Sequence, residues 1–187
     1  MILDCVLKGQ FVDVRSVEES DAEFILKIRN DPEICKYLPP LNVTLEQQRE
    51  WIRRQRADND SYYVLYVAKD GTPLGTASLY DIVGDHGEVG RYCSYGDAAQ
   101  IIEGGILFAD YYHGHGIEYT TCWVYAENHA VLSQNRKSGF LFETEPFIAR
   151  DGRPAFWGKR SKERYFLCMQ KPRKQLCKIS DRENPVE

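Results

Sequence analysis

Apolar and polar residues alternate from Phe11 to Val17, which predicts a first strand with one buried face. Ser20 and Glu23 then stand at capping-box spacing. Ala22, Ile25, Leu26 and Arg29 follow at helical spacing, and Pro32 closes that helix. Thr44 and Gln47 repeat the capping-box spacing, and Leu45 to Arg56 lacks Gly and Pro, so a second helix is predicted there. Between the helices CKYLPPLNV reads as a loop. Tyr62–Ala68 and Pro73–Ile82 are strand-like runs joined by Asp70-Gly71, a turn pair that accepts positive φ. A turn over Val83–Gly87 leads to a strand over Glu88–Ser94. The period then becomes helical over Gln100–Tyr112, with Ile102, Ile106 and Ala109 on one face and His113-Gly114-His115-Gly116 at the end. Tyr119–Ala126 is almost wholly apolar, β-branched and aromatic, and predicts a strand buried on both faces. Asn128 suits an N-cap for a helix over Ala130–Ser138 stopped by Gly139. Phe140–Ala149 and Arg164–Met169 are the last predicted strands. The result is a mixed α/β fold: a mostly antiparallel central sheet flanked by helices, with one parallel crossover around the helix from Gln100.

Composition narrows the function. The chain has 187 residues, 43% hydrophobic and 28% charged, which suits one domain with a full core, placed at 1–172 with a polar tail at 173–187. A formal net charge of −4 gives no field favouring nucleic acid or an anionic membrane. The six cysteines (Cys5, Cys35, Cys93, Cys122, Cys168 and Cys177) lie singly, without the paired spacing of a zinc or redox site. No metal is expected, and Cys93, Cys122 and Cys168 read as small hydrophobes of strands. The opening MILDCVLKGQFVDV has neither the pattern of a signal peptide nor a membrane span, so a cytoplasmic protein is expected.

Two motifs carry a resemblance. The run from Asn128 to Phe140, NHAVLSQNRKSGF, after the strand-end VYAE, resembles the second acetyl-CoA motif of the GNAT superfamily of N-acetyltransferases. CSYGDA, Cys93 to Ala98, is similar to that family's Gln/Arg-x-x-Gly-x-Gly/Ala loop, with Cys93 in place of Gln or Arg. The likeness covers roughly Phe11 to Met169. It implies a parallel strand pair that splays apart and acetyl-CoA as co-substrate. A small-residue loop at a helix N-terminus offers free N–H groups and a positive dipole end to a diphosphate. Gly96, Asp97, Ala98, Ala99 and Gln100 are therefore expected to hold phosphate through their backbone. The resemblance adds Tyr92, Cys93 and Ser94 along the pantetheine arm, and Asn128 and Asn135 on the neighbouring wall.

Acetyl transfer needs a neutral amine, whose conjugate acid has a pKa near ~10 in water, a polarised thioester carbonyl and an accommodated thiolate. The family pattern implies Glu88 as base, with Glu103 as rival, and backbone N–H groups around Tyr92 to Ser94 as oxyanion donors. Many relatives carry a Tyr acid where this chain has Asn135. An amide can hydrogen-bond a thiolate but has no acidic proton to give.

The segments IRNDPEICKYLPP, TLEQQREWI and PLGTASLYDI resemble the branch containing ribosomal-protein N-terminal and amino-sugar-nucleotide acetyltransferases. In that branch the first two helices wall the acceptor. Arg150, Arg153, Lys159, Arg160, Lys162 and Arg164 read either as a phosphate-holding patch or as a solvated basic loop balanced by Glu163. Tyr37, Trp51 and Tyr80 suit stacking on a ring or filling core. The acceptor expected is a primary amine of a small metabolite, such as a nucleotide-linked amino sugar. The alternatives are a protein N-terminus or amino acid, or no acceptor at all in a module that only binds acetyl-CoA. Monomer and homodimer are both compatible.

Overall fold

The computed structural model describes residues 1–183. Nine strands form one sheet: β1 (Leu7–Lys8), β2 (Val12–Ser16), β3 (Tyr62–Ala68), β4 (Pro73–Val83), β5 (His86–Ser94), β6 (Tyr119–Tyr125), β7 (Leu141–Phe142), β8 (Phe147–Ile148) and β9 (Pro154–Ser161). Five helices cover it: α1 (Ala22–Arg29), α2 (Leu45–Ala57), α3 (Ala98–Gly114), α4 (His129–Lys137) and α5 (Lys162–Glu183). The sheet runs β1-β2-β3-β4-β5-β6-β9-β7, with β8 also on β9. Every neighbouring pair is antiparallel except β5 and β6, the partners joined by α3.

Side-chain alternation builds a core on each face. Val12, Val14, Val64, Tyr66 and Leu79 pack against Ile106, Phe108 and Tyr112 of α3 on one face. On the other, Tyr63 and Leu65 pack against Ile25 of α1 and Ile52 of α2.

Several elements differ from the sequence reading. The first capping box is Glu18 with Asp21 rather than Ser20 with Glu23. Asp21 is held by Arg15 at 2.7 Å, which fixes the start of the turn two residues earlier. The Thr44–Gln47 box forms as expected. Phe140–Ala149 is not one strand but the short pieces β7 and β8, separated by a stretch ending at Pro146, which has no N–H for a ladder. The long strand that pairs with β6 is β9, which the sequence reading missed. Arg164–Met169 is not a strand but part of α5. Tyr165 and Met169, four residues apart, are its buried positions, and Leu176 packs on the same core. Cys168 is thus a helix residue. α5 passes through Pro172 into the segment read as a tail, where Arg173 pairs with Asp110 at 2.8 Å. β6 is not buried on both faces. Thr120, Cys122 and Val124 point inward, while Tyr119 and Trp123 are 41% and 37% exposed.

Candidate active site

Three register facts build the site. The parallel ladder of β5 on β6 ends at Glu88 opposite Thr121. From Val89 to Ser94 β5 stays paired with β4 alone, so its other edge has no strand partner. Within that stretch the register slips. Thr76 faces Cys93 and Ser78 faces Gly90, so β5 carries one extra residue. This is a β-bulge, which re-aims a side chain. It places Arg91 at φ 52, a left-handed conformation that costs a non-glycine residue about 1–3 kcal/mol.

The fork opens a cleft of about 1020 Å³, large enough for a cofactor arm and an acceptor together. Glu88, Tyr92, Cys93, Ser94, Asn128 and Asn135, six of the expected site residues, line it. Gly105 and Ala109 of α3 keep that wall low.

Glu88 sits where the strands part. Tyr80 lies opposite it on β4, and its O–H donates to Glu88 Oε1. Burial raises the Glu88 carboxyl above the usual carboxylate value, while the Tyr80 hydrogen bond pulls it back. Burial, and then the Glu88 contact, raise the Tyr80 hydroxyl, so Tyr80 remains a donor. Gly90 is required here, because a Cβ on it would stand 2.9 Å from the Tyr80 hydroxyl oxygen.

Glu103, the rival base, is occupied elsewhere. Its carboxylate accepts the backbone N–H groups of Gln10, Phe11 and Val12 at 2.8, 2.6 and 2.9 Å. It staples α3 to the start of β2.

The phosphate loop is narrower than expected. The Gly96 N–H donates to Ser94 Oγ at 2.9 Å, and Asp97 and Gln100 form a reciprocal capping box at 2.9 and 3.0 Å. Asp97 is thereby turned toward its own helix. Ala98 and Ala99 retain the first-turn N–H groups that an α-helix leaves unpaired.

Asn128 caps α4, accepting from the Val131 N–H at 3.3 Å. Asn135 reaches Cys122 Sγ at 3.5 Å. Burial pushes the Cys122 thiol up to about 12, so it is neutral. Cys93 is different. The neighbouring Cys35 thiol, with Thr76 and Arg29, lowers its thiol against the opposing effect of burial. Among the described residues no cluster of His, Cys, Asp or Glu is arranged for a metal.

The basic patch does not form. Arg153 is held by Asp151 and Glu127 and stacks on Tyr125, Lys162 pairs with Glu118, and Arg164 donates to the Gly139 carbonyl. Of the group only Arg160 lines the cleft, buried between Phe140 and Tyr165 and bonded to the Tyr112 hydroxyl at 2.7 Å. The cleft is also lined by Tyr37, Trp51 and Tyr80, and by Arg29, Arg91 and Trp123, which the sequence reading did not select. The available signal for Arg91 was Gly90, since a glycine inside a strand often marks a bulge.

A residue set with a free strand edge, two unpaired helix N–H groups and low walls fits the pantetheine arm and diphosphate of acetyl-CoA. The model of the acetyltransferase (GNAT) domain matches residues 12–141. No curated protein matches the chain. Among solved structures, the nucleotide-linked-sugar GNAT FdhC superposes with a TM-score of 0.78 at 23% identity, covering 93% of this chain and 99% of the other. RimL, the ribosomal L7/L12 α-N-protein acetyltransferase, in complex with coenzyme A, gives 0.71 at 12% identity over 84% and 98%. The spermidine N-acetyltransferase of Vibrio cholerae, with CoA and spermine, gives 0.71 at 17% identity over 84% and 99%. Matched over more than half its length by that domain model, the chain belongs to the GNAT family of N-acetyltransferases, acyltransferases that draw on acetyl-CoA.

Proposed function

We propose that this enzyme acetylates the primary amine of a small metabolite, a nucleotide-linked amino sugar, at the fork between β5 and β6. The observation that carries the reading is the placement of Glu88. It ends the parallel ladder, faces the cleft and is held by the Tyr80 hydroxyl.

Acetyl-CoA supplies an acetyl thioester. The chain's own groups do the rest. The free N–H groups of β5 from Val89 to Ser94 hold the cofactor arm as a partner strand would, and those nearest the fork meet the negative charge that grows on the carbonyl oxygen. The Ala98 and Ala99 N–H groups and the α3 dipole meet the diphosphate. Burial in the cleft disfavours the ammonium form of the acceptor, and the Glu88 carboxylate takes its proton. Neither Asn135 nor neutral Cys122 is an acid for the thiolate. With an ordinary thiol pKa of ~8.5, the leaving sulfur takes its proton from water. The aromatic acceptor wall, Tyr37, Trp51, Tyr80 and Trp123, suits the flat faces of a sugar and a base. The likeness to FdhC supports the same class of acceptor.

The test is to follow free thiol while the protein, acetyl-CoA and a panel of amines are mixed. Release with a nucleotide-linked amino sugar supports the reading. Release confined to peptide N-termini would replace it with the protein-acetylating alternative. Cofactor binding without release across the panel would leave a binding module.

A further inference from the structure

Deeper than the fork, the acceptor floor carries polar groups that the fold leaves unsatisfied. Ser78 on β4 is 1% exposed, and its hydroxyl has no hydrogen-bond partner. Arg29, at the end of α1, is 8% exposed. One Nη donates to the Pro39 carbonyl at 3.0 Å, but its Nε has no partner. Both residues line the cleft. An orphaned hydroxyl and an orphaned guanidinium N–H are each costly to bury, so their persistence in one wall points to a ligand that satisfies them.

Arg91 adds a second cation. The bulge turns it into the acceptor half, where its guanidinium lies 4.4 Å from the Tyr80 ring centroid and 5.5 Å from that of Trp51. Stacking engages the faces of the guanidinium and leaves its N–H edge for a planar oxyanion. Among the described residues neither Arg29 nor Arg91 has an ion-pair partner, and both charges act on the Tyr63 hydroxyl. The carboxylates lining the cleft are Glu33, on the loop after α1, and Glu88 at the fork, with Asp81 acting on Glu88 from outside. Arg91 also lines a second, smaller pocket with Arg54, Asp58, Asp60 and Asp81; in the cleft it stands with Arg29 as a cation of the lining.

We propose that Arg29, Arg91 and Ser78 form an oxyanion subsite, so that the acceptor is an amine bearing a phosphate or carboxylate, and that Arg91 is the residue that selects it. This rests on the acetyl-transfer reading and narrows its substrate class. Polyamines, which carry only cations, are rejected at this floor.

The experiment compares matched acceptors by thiol release: glucosamine with glucosamine 6-phosphate, and alaninamide with alanine, beside spermidine. The anionic member of one pair is favoured in kcat/KM by roughly 10- to 100-fold, the range of a charge-assisted hydrogen-bonded contact. The pair that shows the preference identifies phosphate or carboxylate as the source. Arg91→Gln abolishes the preference, the anionic member of the pair losing more kcat/KM than the neutral one. Ser78→Ala, which removes an unsatisfied hydroxyl and leaves the fold intact, raises KM for the anionic acceptor. Equal rates within both pairs, or spermidine as the best acceptor, would overturn the subsite. Should no acceptor be turned over, a binding measurement decides. With CoA saturating the donor half, inorganic pyrophosphate changes Trp51 fluorescence in the parent protein and not in Arg91→Gln. No change in the parent would refute the subsite, whereas failure of CoA itself to bind would refute the acetyl-transfer reading.

Discussion

At the scale of single residues, chemistry concentrates where β5 leaves β6. Removing the proposed base by Glu88→Gln lowers kcat/KM by roughly 10²- to 10⁴-fold, the usual worth of a positioned proton acceptor, and leaves CoA affinity unchanged in calorimetry. The pH profile follows from the sign of the Glu88 shift. Burial raises its carboxyl above the ordinary 4.5, and the base works only when ionised. Activity therefore falls as pH drops through the raised value, and the acid limb of kcat/KM lies above 4.5. Tyr80→Phe removes the O–H that favours the carboxylate, so that limb moves to still higher pH; a shift downward would contradict the assignment. Gly90→Ala forces Tyr80 away from Glu88 and gives the same direction of change with a loss of rate. That Glu88 lines the cleft was legible through the family resemblance, which implied a carboxylate a few residues before the cofactor-binding part of this strand. Its hydroxyl partner was not, since cross-strand register between Tyr80 and Glu88 depends on the irregularity between Tyr80 and Val83 at the hairpin end.

At the scale of elements, caps and staples decide where helices begin and what they hold. The start of helix α2 was readable to the residue because Thr44 and Gln47 satisfy each other locally. The start of α1 was not, because a contact outside the helix, Arg15 with Asp21, selected a different box. α5 was misread as a strand because RYFLCM is apolar enough for either period. Its fold is set by Tyr165, whose hydroxyl reaches Asp110 at 2.8 Å from the neighbouring helix. Glu103 belongs to this scale. Glu103→Ala leaves three N–H groups without their acceptor and costs about 2–3 kcal/mol, lowering Tm by roughly 5–10 °C. Thermal unfolding with turnover measured at 25 °C checks it: stability falls and kcat/KM holds. The reverse pattern would restore Glu103 as a catalytic candidate.

At the scale of the whole molecule, two motifs made the family legible because they are local. Asn128 to Gly139 is one capped helix with its stop, and Gly96 to Gln100 is one helix start. Arg29, Arg91 and Trp123 were illegible as cleft residues, because they come from three elements, α1, β5 and β6, and join Trp51 and Tyr80 only through the sheet order. No described helix is long and apolar enough to cross a membrane. Global stability has its own titration. His113 is fully buried on α3, and burial lowers it from 6.5 to about 4. A lowered imidazole stabilises the fold above pH 6.5, and the contribution is lost as pH falls toward 4, about 3 kcal/mol in all. Denaturant melts across that range show the loss, and His113→Phe flattens it. The proposed acetyl transfer depends on the unpaired edge of β5. Backbone hydrogen exchange at Val89 to Ser94, measured with and without CoA, tests it most directly. Slower exchange along that stretch and at Ala98 and Ala99 is the result the account predicts; unchanged exchange there under saturating CoA would contradict it.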